Sequence, residues 1–393
     1  MAFDFDTAIE RRGTNCVKWD GMERIYGVDP GDGLAMWVAD MDFRAPPVVL
    51  DALQNMVDHG VFGYGDGDAE YRRAICDWMR DRHGWADVDP QSIFTTNGLV
   101  NAISLCLDTY TAPGDGIVLF TPVYHAFARS ILRAGRKVVE CELANVDGRY
   151  QLDIDAWDAQ MTGSETMAIL CSPHNPGGRV WTGDELRAFA DFAARHGLTL
   201  ISDEIHQDLV YPGATHIPMP VAAPEAVDRT IVLNAPSKTF NIAGVHVGQV
   251  IISDPDLRKP FANRMSTLSL SAGTVGLEMT RAAYTPEGVA WLGELIAYLD
   301  TNRREFDDGV NAIPGLKSMA LESTYLAWVD FTDTGMTPDE FKARVQGEAC
   351  IAANHGETFG KGGDNFLRFN LATPRANVAA AVERLKGAFA DLQ

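Results

Sequence analysis

The chain of 393 residues carries 33 lysine and arginine residues against 54 aspartate and glutamate residues, a formal net charge of −21. This acidic balance argues against nucleic acid and anionic membrane surfaces as partners, because both are bound through basic patches. The six cysteines are scattered without a CxxC pair, and the acidic N-terminus has no apolar signal-peptide core. We therefore expect a cytoplasmic protein with free thiols.

Short β-branched runs alternate with longer helical patterns between residues 92 and 253. In chain order the strand-like runs are SIFTT, GIVLF, TMAILC, LTLIS, RTIVLN and VGQVIIS. Helical patterns follow the first three runs, and Thr182 with Glu185 forms a capping-box pattern at the start of one helix. Short apolar strands that alternate with helices predict an α/β fold, in which a mostly parallel sheet is covered on both faces.

The pattern changes in the last hundred residues or so. A long amphipathic helix is predicted from Pro286 to near Pro314. The strand-like runs TYLAWVDF and NFLRFNLA then flank a helical stretch, TPDEFKARVQGEA, and a further helical stretch closes the chain. These elements predict a smaller α+β domain, with which the first 45 residues are expected to pack. We therefore predict a large domain over residues 46–285 and a small domain over residues 1–45 and 286–393.

Two charged residues directly follow predicted strands, where ligands gather in a parallel α/β sheet. Lys238 follows RTIVLN, and it is either a solvated loop lysine or a desolvated amine that forms an imine with an aldehyde. Asp203 ends LTLISD, and it is either a helix N-cap or a carboxylate that keeps a heterocyclic nitrogen protonated. The sequence alone leaves these alternatives open.

Four further positions have a functional and an ordinary interpretation. Gly98 separates a strand end from a helix start, and such a helix N-terminus suits a phosphate but is common. Asn175 lies in the turn CSPHNPGGRVW, either as an ordinary turn residue or as an aimed side chain. Tyr124 either packs in the core or stacks on a flat ring. Arg368 is either a carboxylate receptor or a solvent-facing arginine on an edge strand.

A metal site is a further hypothesis, because Cys171 and His174 have a ligand-like Cys-x-x-His spacing and His206 is a possible third ligand. Structural zinc sites are almost always four-coordinate, and no fourth ligand is evident in the sequence. We therefore expect no metal at this position.

The order of these positions along the chain resembles that of the fold-type I pyridoxal-phosphate enzymes, the aspartate aminotransferase superfamily. The resemblance covers nearly the whole chain. The stretches MWVADMDF, CSPHNPGGRVW, SDEIHQDLV and APSKTFNIAG are similar, more closely, to the MalY/PatB group of cysteine-S-conjugate and cystathionine β-lyases. The resemblance implies a fold-type I transferase architecture with pyridoxal 5′-phosphate as the cofactor.

The resemblance also implies which residues bind the cofactor. Lys238 would join the cofactor through an imine and act as general base, while Asp203 would pair with the pyridine nitrogen. Asn175 would hydrogen-bond the phenolate oxygen, near His206, and Tyr124 would stack on the ring. The residues implied to hold the phosphate are Gly98, Leu99 and Ser237.

Substrate and partner assignments follow from the same resemblance. Arg368 would clamp the carboxylate of a small amino-acid substrate, with the backbone near Ala39 closing over it. Tyr64, in FGYGDG, matches a tyrosine that the family donates to the phosphate site of the neighbouring subunit. A homodimer with shared active sites is therefore implied.

Three positions depart from the common aminotransferase pattern: Ala235 in place of a serine, His246 in place of an arginine and His206 in place of a tyrosine. All three are compatible with the lyase group, and they favour β-elimination over transamination. The implied reaction cleaves cystathionine or a related S-substituted L-cysteine to a thiol, pyruvate and ammonia. An aminotransferase of a small amino acid and a regulatory protein that retains the lyase scaffold stay open as alternatives.

Overall fold

A computed structural model describes residues 3–65 and 68–392 of this chain. Its α-helices are α1 (Val17–Asp20), α2 (Met22–Tyr26), α3 (Pro47–His59), α4 (Ala69–His83), α5 (Leu99–Tyr110), α6 (Ala126–Arg133), α7 (Ile154–Gln160), α8 (Gly183–Arg195), α9 (Met219–Ala222), α10 (Pro236–Thr239), α11 (Pro255–Thr267), α12 (Thr274–Ala283), α13 (Pro286–Asn311), α14 (Pro338–Ala343) and α15 (Arg375–Ala388). Its strands are β1 (Leu34–Ala35), β2 (Ile93–Thr96), β3 (Gly116–Thr121), β4 (Lys137–Glu142), β5 (Ala144–Val146), β6 (Arg149–Gln151), β7 (Glu165–Cys171), β8 (Thr199–Asp203), β9 (Thr230–Asn234), β10 (Gly248–Ile251), β11 (Lys317–Ser318), β12 (Leu326–Asp330), β13 (Ile351–Ala352), β14 (Asn354–His355) and β15 (Phe366–Asn370).

The main sheet has seven strands in the order β2–β10–β9–β8–β7–β3–β4. Strands β4, β3, β7, β8 and β9 run parallel, whereas β10 runs antiparallel to both of its neighbours. Every residue of β3, β9 and β10 is buried, as expected for strands covered on both faces. The predicted mostly parallel sheet is confirmed, and all six strand-like runs between residues 92 and 253 form its strands.

The strand register brings the ends of three neighbouring strands to one edge of this sheet. Cys171 at the end of β7 lies opposite Asp203 at the end of β8, and Asp203 lies opposite Leu233 near the end of β9. Because the strands are parallel, the loops that follow them leave the sheet at the same edge. The segment that carries Lys238, α10, is one of these continuations.

A second, antiparallel sheet has the order β11–β12–β15–β14. Near the N-terminus β1 pairs in parallel with β13, with Leu34 opposite Ile351, so the first part of the chain contacts the last part. One hydrophobic cluster includes Phe43, Tyr71, Trp291 and Phe369, which come from both sides of the predicted domain boundaries. The division into residues 46–285 and residues 1–45 with 286–393 stays a prediction.

The long predicted helix is α13, in which Thr285 caps the first turn by accepting from the backbone N–H of Gly288. None of the helices in the described ranges is both long and apolar enough to cross a membrane.

Two glycines of α13 give a matched test of how closely the first turn of this helix packs against the preceding residues. A Cβ at Gly288 would lie 1.9 Å from the carbonyl oxygen of Ala283, whereas a Cβ at Gly293 would meet no atom within 4 Å. We expect Gly288→Ala to lower the free energy of unfolding by about 1–3 kcal/mol, as overpacking does. Gly293→Ala should raise it by up to about 1 kcal/mol, because alanine favours a helix. Denaturant unfolding of both variants measures the difference, and effects of the same sign would contradict this packing.

Candidate active site

The sequence-predicted residues meet in a cavity of about 250 Å³ at the carboxyl edge of the main sheet. The predicted residues that line it are Ala39, Gly98, Leu99, Tyr124, Asn175, Asp203, His206, Ser237 and Lys238. Arg368 adjoins this set through Asn175, whose side-chain oxygen accepts from the arginine at 3.0 Å. The fold thus places residues that are up to 329 positions apart in the sequence, from Ala39 to Arg368, at one site.

Lys238 lies in the short helix α10, which starts with Pro236 directly after β9. Its amine is partly buried and donates to the carbonyl oxygen of Ala39 at 2.6 Å. Burial is the main cause that lowers the pKa of Lys238 to about 8; the Arg368 charge lowers it further, and Asp40 and Asp203 oppose the shift. The alternative of a solvated loop lysine is therefore wrong.

Asp203 is buried at the end of β8. Burial, with a smaller effect from the neighbouring Glu204, raises the pKa of Asp203 to about 7. One carboxyl oxygen accepts the backbone N–H of Ile205 at 3.1 Å, and the chain continues as a turn, not as a helix. The helix N-cap alternative is wrong, since no helix begins there. A cation placed beside this carboxyl would stabilise its charged form.

The predicted phosphate turn has the backbone that such a turn needs. Gly98 has φ 80°, a left-handed conformation that favours glycine, and it precedes α5 directly. The first N–H groups of a helix lack partners within the helix and attract anions. Ser237 and His246 line the same cavity, and His246 Nδ1 would lie 3.8 Å from a Cβ at Gly98. His246 thus borders the turn where the common pattern has an arginine.

Arg368 is buried in β15, an inner strand between β12 and β14, so the edge-strand alternative is wrong. Besides Asn175, its guanidinium donates to the carbonyl oxygen of Trp37 at 2.9 Å and to the side-chain oxygen of Asn354 at 2.5 Å. The ring of Phe359 lies 5.0 Å away. Burial lowers the pKa of Arg368 to about 10, so it stays charged at neutral pH.

Tyr124 and His206 form aromatic walls of the cavity. Tyr124 packs against the rings of His125 and Phe127 and is still partly exposed. The two roles considered from the sequence, packing in the core and stacking on a flat ring, are therefore compatible. His206 is buried, and burial together with the charges of Lys238 and Arg368 lowers its pKa to about 3. The imidazole of His206 is therefore neutral at physiological pH.

Tyr64 is the one predicted residue that the chain does not bring to this cavity. Its side chain is exposed and lines a separate cavity with Phe62, Arg72 and Phe94. A residue that serves a neighbouring subunit would lie outside its own pocket, so the implied role stays a prediction.

The hypothetical metal ligands make other contacts. The Cys171 thiol donates to the carbonyl oxygen of Pro173, and His174 Nε2 pairs with the carbonyl oxygen of Pro122 at 2.9 Å. Across residues 3–65 and 68–392, no group of three or more His, Cys, Asp or Glu side chains is arranged to hold a metal ion.

Sequence reasoning missed several residues that complete the site. The further lining residues are Asn97, Val100, Phe127, Cys171, Ile205, Ala243 and Val247. Tyr325 also donates to the Ala39 carbonyl, at 3.0 Å, and Asn354 accepts from Arg368. The further lining residues lie beside or within the predicted motifs, so the motifs could have indicated them. No local sequence pattern indicates Tyr325 or Asn354.

The donors and acceptors of this cavity fit pyridoxal phosphate. Nδ1 of His206, which lines the cavity, and Nε of Arg368, which adjoins it, are two of the fifteen buried side-chain atoms of the described residues that lack a hydrogen-bond partner. Buried polar atoms are normally paired, so these two are available to a polar ligand in the cavity. The Lys238 amine suits an aldehyde, the Asp203 carboxyl suits a ring nitrogen, and the start of α5 suits a phosphate.

Comparisons with known proteins agree with this geometry. Residues 34–385 match the family described as aminotransferase class I and II. The chain is 37% identical to the cystathionine beta-lyase PatB of Bacillus subtilis (strain 168), over 98% of this chain and 99% of that protein. It is 32% identical to protein MalY of Escherichia coli (strain K12), over 98% of each.

A solved structure supports both the fold and the cofactor. The structure of cystalysin from Treponema denticola, which contains pyridoxal 5′-phosphate, matches with a TM-score of 0.94 and 36% sequence identity. The match covers 100% of both chains. The predicted fold-type I architecture is confirmed.

The shifted pKa of Lys238 predicts how its amine reacts in cofactor-free protein. Labelling by a small amine-reactive reagent, followed by peptide mass spectrometry, should rise with pH around a midpoint near 8. Arg368→Met should move the midpoint upward, because the guanidinium lowers this pKa, and Asp203→Asn should move it downward, because the carboxylate raises it. A midpoint near that of a solvated lysine, about 10.4, would contradict the burial argument.

Proposed function

The chain belongs to the aminotransferase class I and II family, and we propose that it is a pyridoxal-phosphate-dependent C–S β-lyase. With one molecule of water, it cleaves cystathionine or a related S-substituted L-cysteine to a thiol, pyruvate and ammonia. The observation that carries the proposal is the Lys238 amine, which shares one pocket with Asp203 and has a pKa lowered to about 8. The cystathionine beta-lyase of Bacillus subtilis, similar over almost its whole length, supports this reaction over others of the family.

The proposal assigns the cofactor to the pocket residues. Lys238 would hold its aldehyde carbon, Asp203 its ring nitrogen and Asn175 its phenolate oxygen. Tyr124 would stack on the ring, and the neutral imidazole of His206 would lie near the phenolate side. The phosphate would be held by Gly98, Leu99 and Ser237.

Two residues of the chain manage the proton and charge that the reaction moves. When bound, pyridoxal phosphate supplies an electron sink that acidifies the Cα–H of an amino acid joined to it. Once the substrate's amine has displaced it from the aldehyde carbon, Lys238 would remove the proton from Cα, because a pKa of about 8 leaves a useful neutral fraction near pH 7. Asp203 stabilises positive charge on the ring nitrogen, since its buried carboxyl has few other polar partners. A thiolate on Cβ is then a competent leaving group.

The proposal assigns substrate recognition to Arg368 and to the backbone near Ala39. The guanidinium is charged and held by three oxygen atoms on Trp37, Asn175 and Asn354. Three of its five N–H groups make these bonds, so the N–H of Nε and one N–H of Nη1 are the donors left for a carboxylate. Any small α-amino acid presents this carboxylate, and the pocket walls select the sulfur substituent.

The proposal includes a cytoplasmic homodimer. The exposed Tyr64 supports the dimer, because it lies outside its own pocket and matches a residue that the family donates to a neighbour. The free state of all six cysteines supports a reducing compartment.

An aminotransferase is the second candidate, and the family name supports it. The same lysine, aspartate and arginine would serve both reactions, and a barrier difference of about 1.4 kcal/mol changes their ratio tenfold. The products therefore decide between the two.

The first test measures products and a matched lysine variant. We expect purified protein to release pyruvate, ammonia and homocysteine from L-cystathionine without an added keto acid. Lys238→Ala should abolish turnover, because the base at Cα is lost, while Lys259→Ala, on the exposed side of α11, should not. Turnover that requires a keto acid would support the aminotransferase instead, and a fully active Lys238→Ala variant would remove Lys238 from the mechanism.

Arg368→Gln tests the carboxylate clamp. Loss of a hydrogen bond from a charged donor amounts to about 1.5–3 kcal/mol. We therefore expect KM for cystathionine to rise by about tenfold to a hundredfold, with a smaller change in kcat. Steady-state kinetics compares the KM of this variant with that of Arg195→Gln, a control at an exposed position, and thermal melting confirms that both variants fold. An unchanged KM would exclude Arg368 from substrate binding.

A further inference from the structure

Residues 36–43, MWVADMDF, cross the active site as an irregular segment with bends at residues 38–40 and 42–43, which we call the strap. Its backbone contacts both of the charged groups that the proposed reaction uses. The Ala39 carbonyl oxygen accepts from the Lys238 amine at 2.6 Å, and the Trp37 carbonyl oxygen accepts from Arg368 at 2.9 Å. The position of the strap therefore affects how both side chains are held.

Two asparagines hold the strap backbone from the side of the sheets. Asn370 donates to the carbonyl oxygens of Val38 and Asp40, both at 2.6 Å. Asn241 follows Lys238 by three residues and donates to the carbonyl oxygens of Met41 and Phe43. Backbone hydrogen bonds add to this hold, because the Met36 N–H donates to the Ala352 carbonyl oxygen and the Asp42 N–H donates to the Ala372 carbonyl oxygen.

Charged side chains from the N-terminal segment also hold the strap. Lys18 Nζ lies 2.8 Å from Asp42 Oδ2 and also donates to the Asp40 carbonyl oxygen at 3.2 Å. Arg11 makes a two-pronged contact with the Asp40 carboxylate, at 2.9 Å for each pair of atoms, and reaches Asp42 at 2.7 Å. Trp19 donates to the same Asp42 carboxylate at 3.0 Å.

This cluster is unusual because much of its charge is buried. Lys18 is 0% exposed and Asp42 is 3% exposed. Burial alone would raise the pKa of Asp42, but Lys18, Trp19 and Arg11 together hold it below its usual value. A buried ion pair adds little net stability but is strongly directional, so it suits a positioning role better than a stabilising one.

We propose that Arg11 and Lys18 are positioning residues that hold the strap, through Asp40 and Asp42, in the place that orients Arg368 for the substrate carboxylate. The inference rests on the proposed function, since it assigns the carboxylate to Arg368. The strap controls the guanidinium because the Trp37 carbonyl takes one of its N–H donors. A looser strap lets Arg368 turn away, which weakens substrate binding more than it slows the proton transfer at Cα.

The chain offers a matched pair of adjacent arginines for the test. Arg11 pairs with the two strap carboxylates, whereas Arg12 hydrogen-bonds to Glu10 and to the Pro30 carbonyl oxygen and lies over the Trp19 ring without pairing with a strap carboxylate. Arg11→Gln and Arg12→Gln make the same chemical change one residue apart on the same segment. The milder pair, Arg11→Lys and Arg12→Lys, keeps the charge but loses the planar fork, and it replaces the first pair if Arg11→Gln does not fold.

Two measurements on the cofactor-loaded protein separate positioning from stability. Hydrogen–deuterium exchange of the strap amides should be faster by about tenfold in Arg11→Gln than in Arg12→Gln, as expected when about 1.4 kcal/mol of local restraint is lost. KM for L-cystathionine should rise by about tenfold in Arg11→Gln with kcat changed less than about twofold, while Arg12→Gln keeps both values. Arg11→Lys should show an intermediate KM.

Equal exchange and equal KM in the two glutamine variants would overturn the inference. A fall in kcat at unchanged KM would also overturn it, because the strap would then act on the chemical step and not on binding. The affinity for L-alanine, followed by the absorbance of the cofactor, needs no turnover. If wild-type protein fails to cleave cystathionine, the proposed function fails, while exchange and L-alanine affinity still decide whether Arg11 positions the strap.

Discussion

The site depends on one constraint, which is that a lysine amine is partly buried without losing the ability to react. Burial lowers the pKa of Lys238 to about 8, and the single carbonyl of Ala39 accepts its hydrogen bond. A full ion pair at this distance would hold the amine in its charged form. A neutral carbonyl partner satisfies the donor and leaves the pKa low. Asp203, whose own pKa is raised to about 7 by burial, completes a pocket whose charges are poised near neutral pH.

That pocket requires both sheets. The main sheet delivers Asp203 and Lys238 from the ends of β8 and β9, while the antiparallel sheet delivers Arg368 from the inner strand β15. The segment that joins the two groups comes from neither sheet, because the Trp37 and Ala39 carbonyls belong to the strap near the N-terminus. The groups that we propose to bind the substrate and to transfer the proton are thus connected through a piece of backbone, whose neighbours Asp40 and Asp42 form ion pairs with Arg11 and Lys18.

Much of this arrangement was predictable from the sequence, and the failures have physical reasons. Alternating apolar runs predict the strands of the main sheet, because burial on both faces determines their composition. The antiparallel direction of β10 was not predictable, since an apolar run carries no direction. Periodicity likewise does not separate an inner strand from an edge strand, which left Arg368 with two interpretations. The pairing of Lys18 with Asp42 has no local signature, because only tertiary packing brings these residues together.

The most direct test of the account is the site of covalent attachment in the cofactor-loaded protein. Borohydride reduction followed by peptide mapping should find the pyridoxyl group on the peptide that contains Lys238, with the other lysines unmodified. Attachment at a different lysine, or a stoichiometric cofactor that is released entirely after reduction, would contradict the claim that the buried amine between Ala39 and Asp203 is the reacting group.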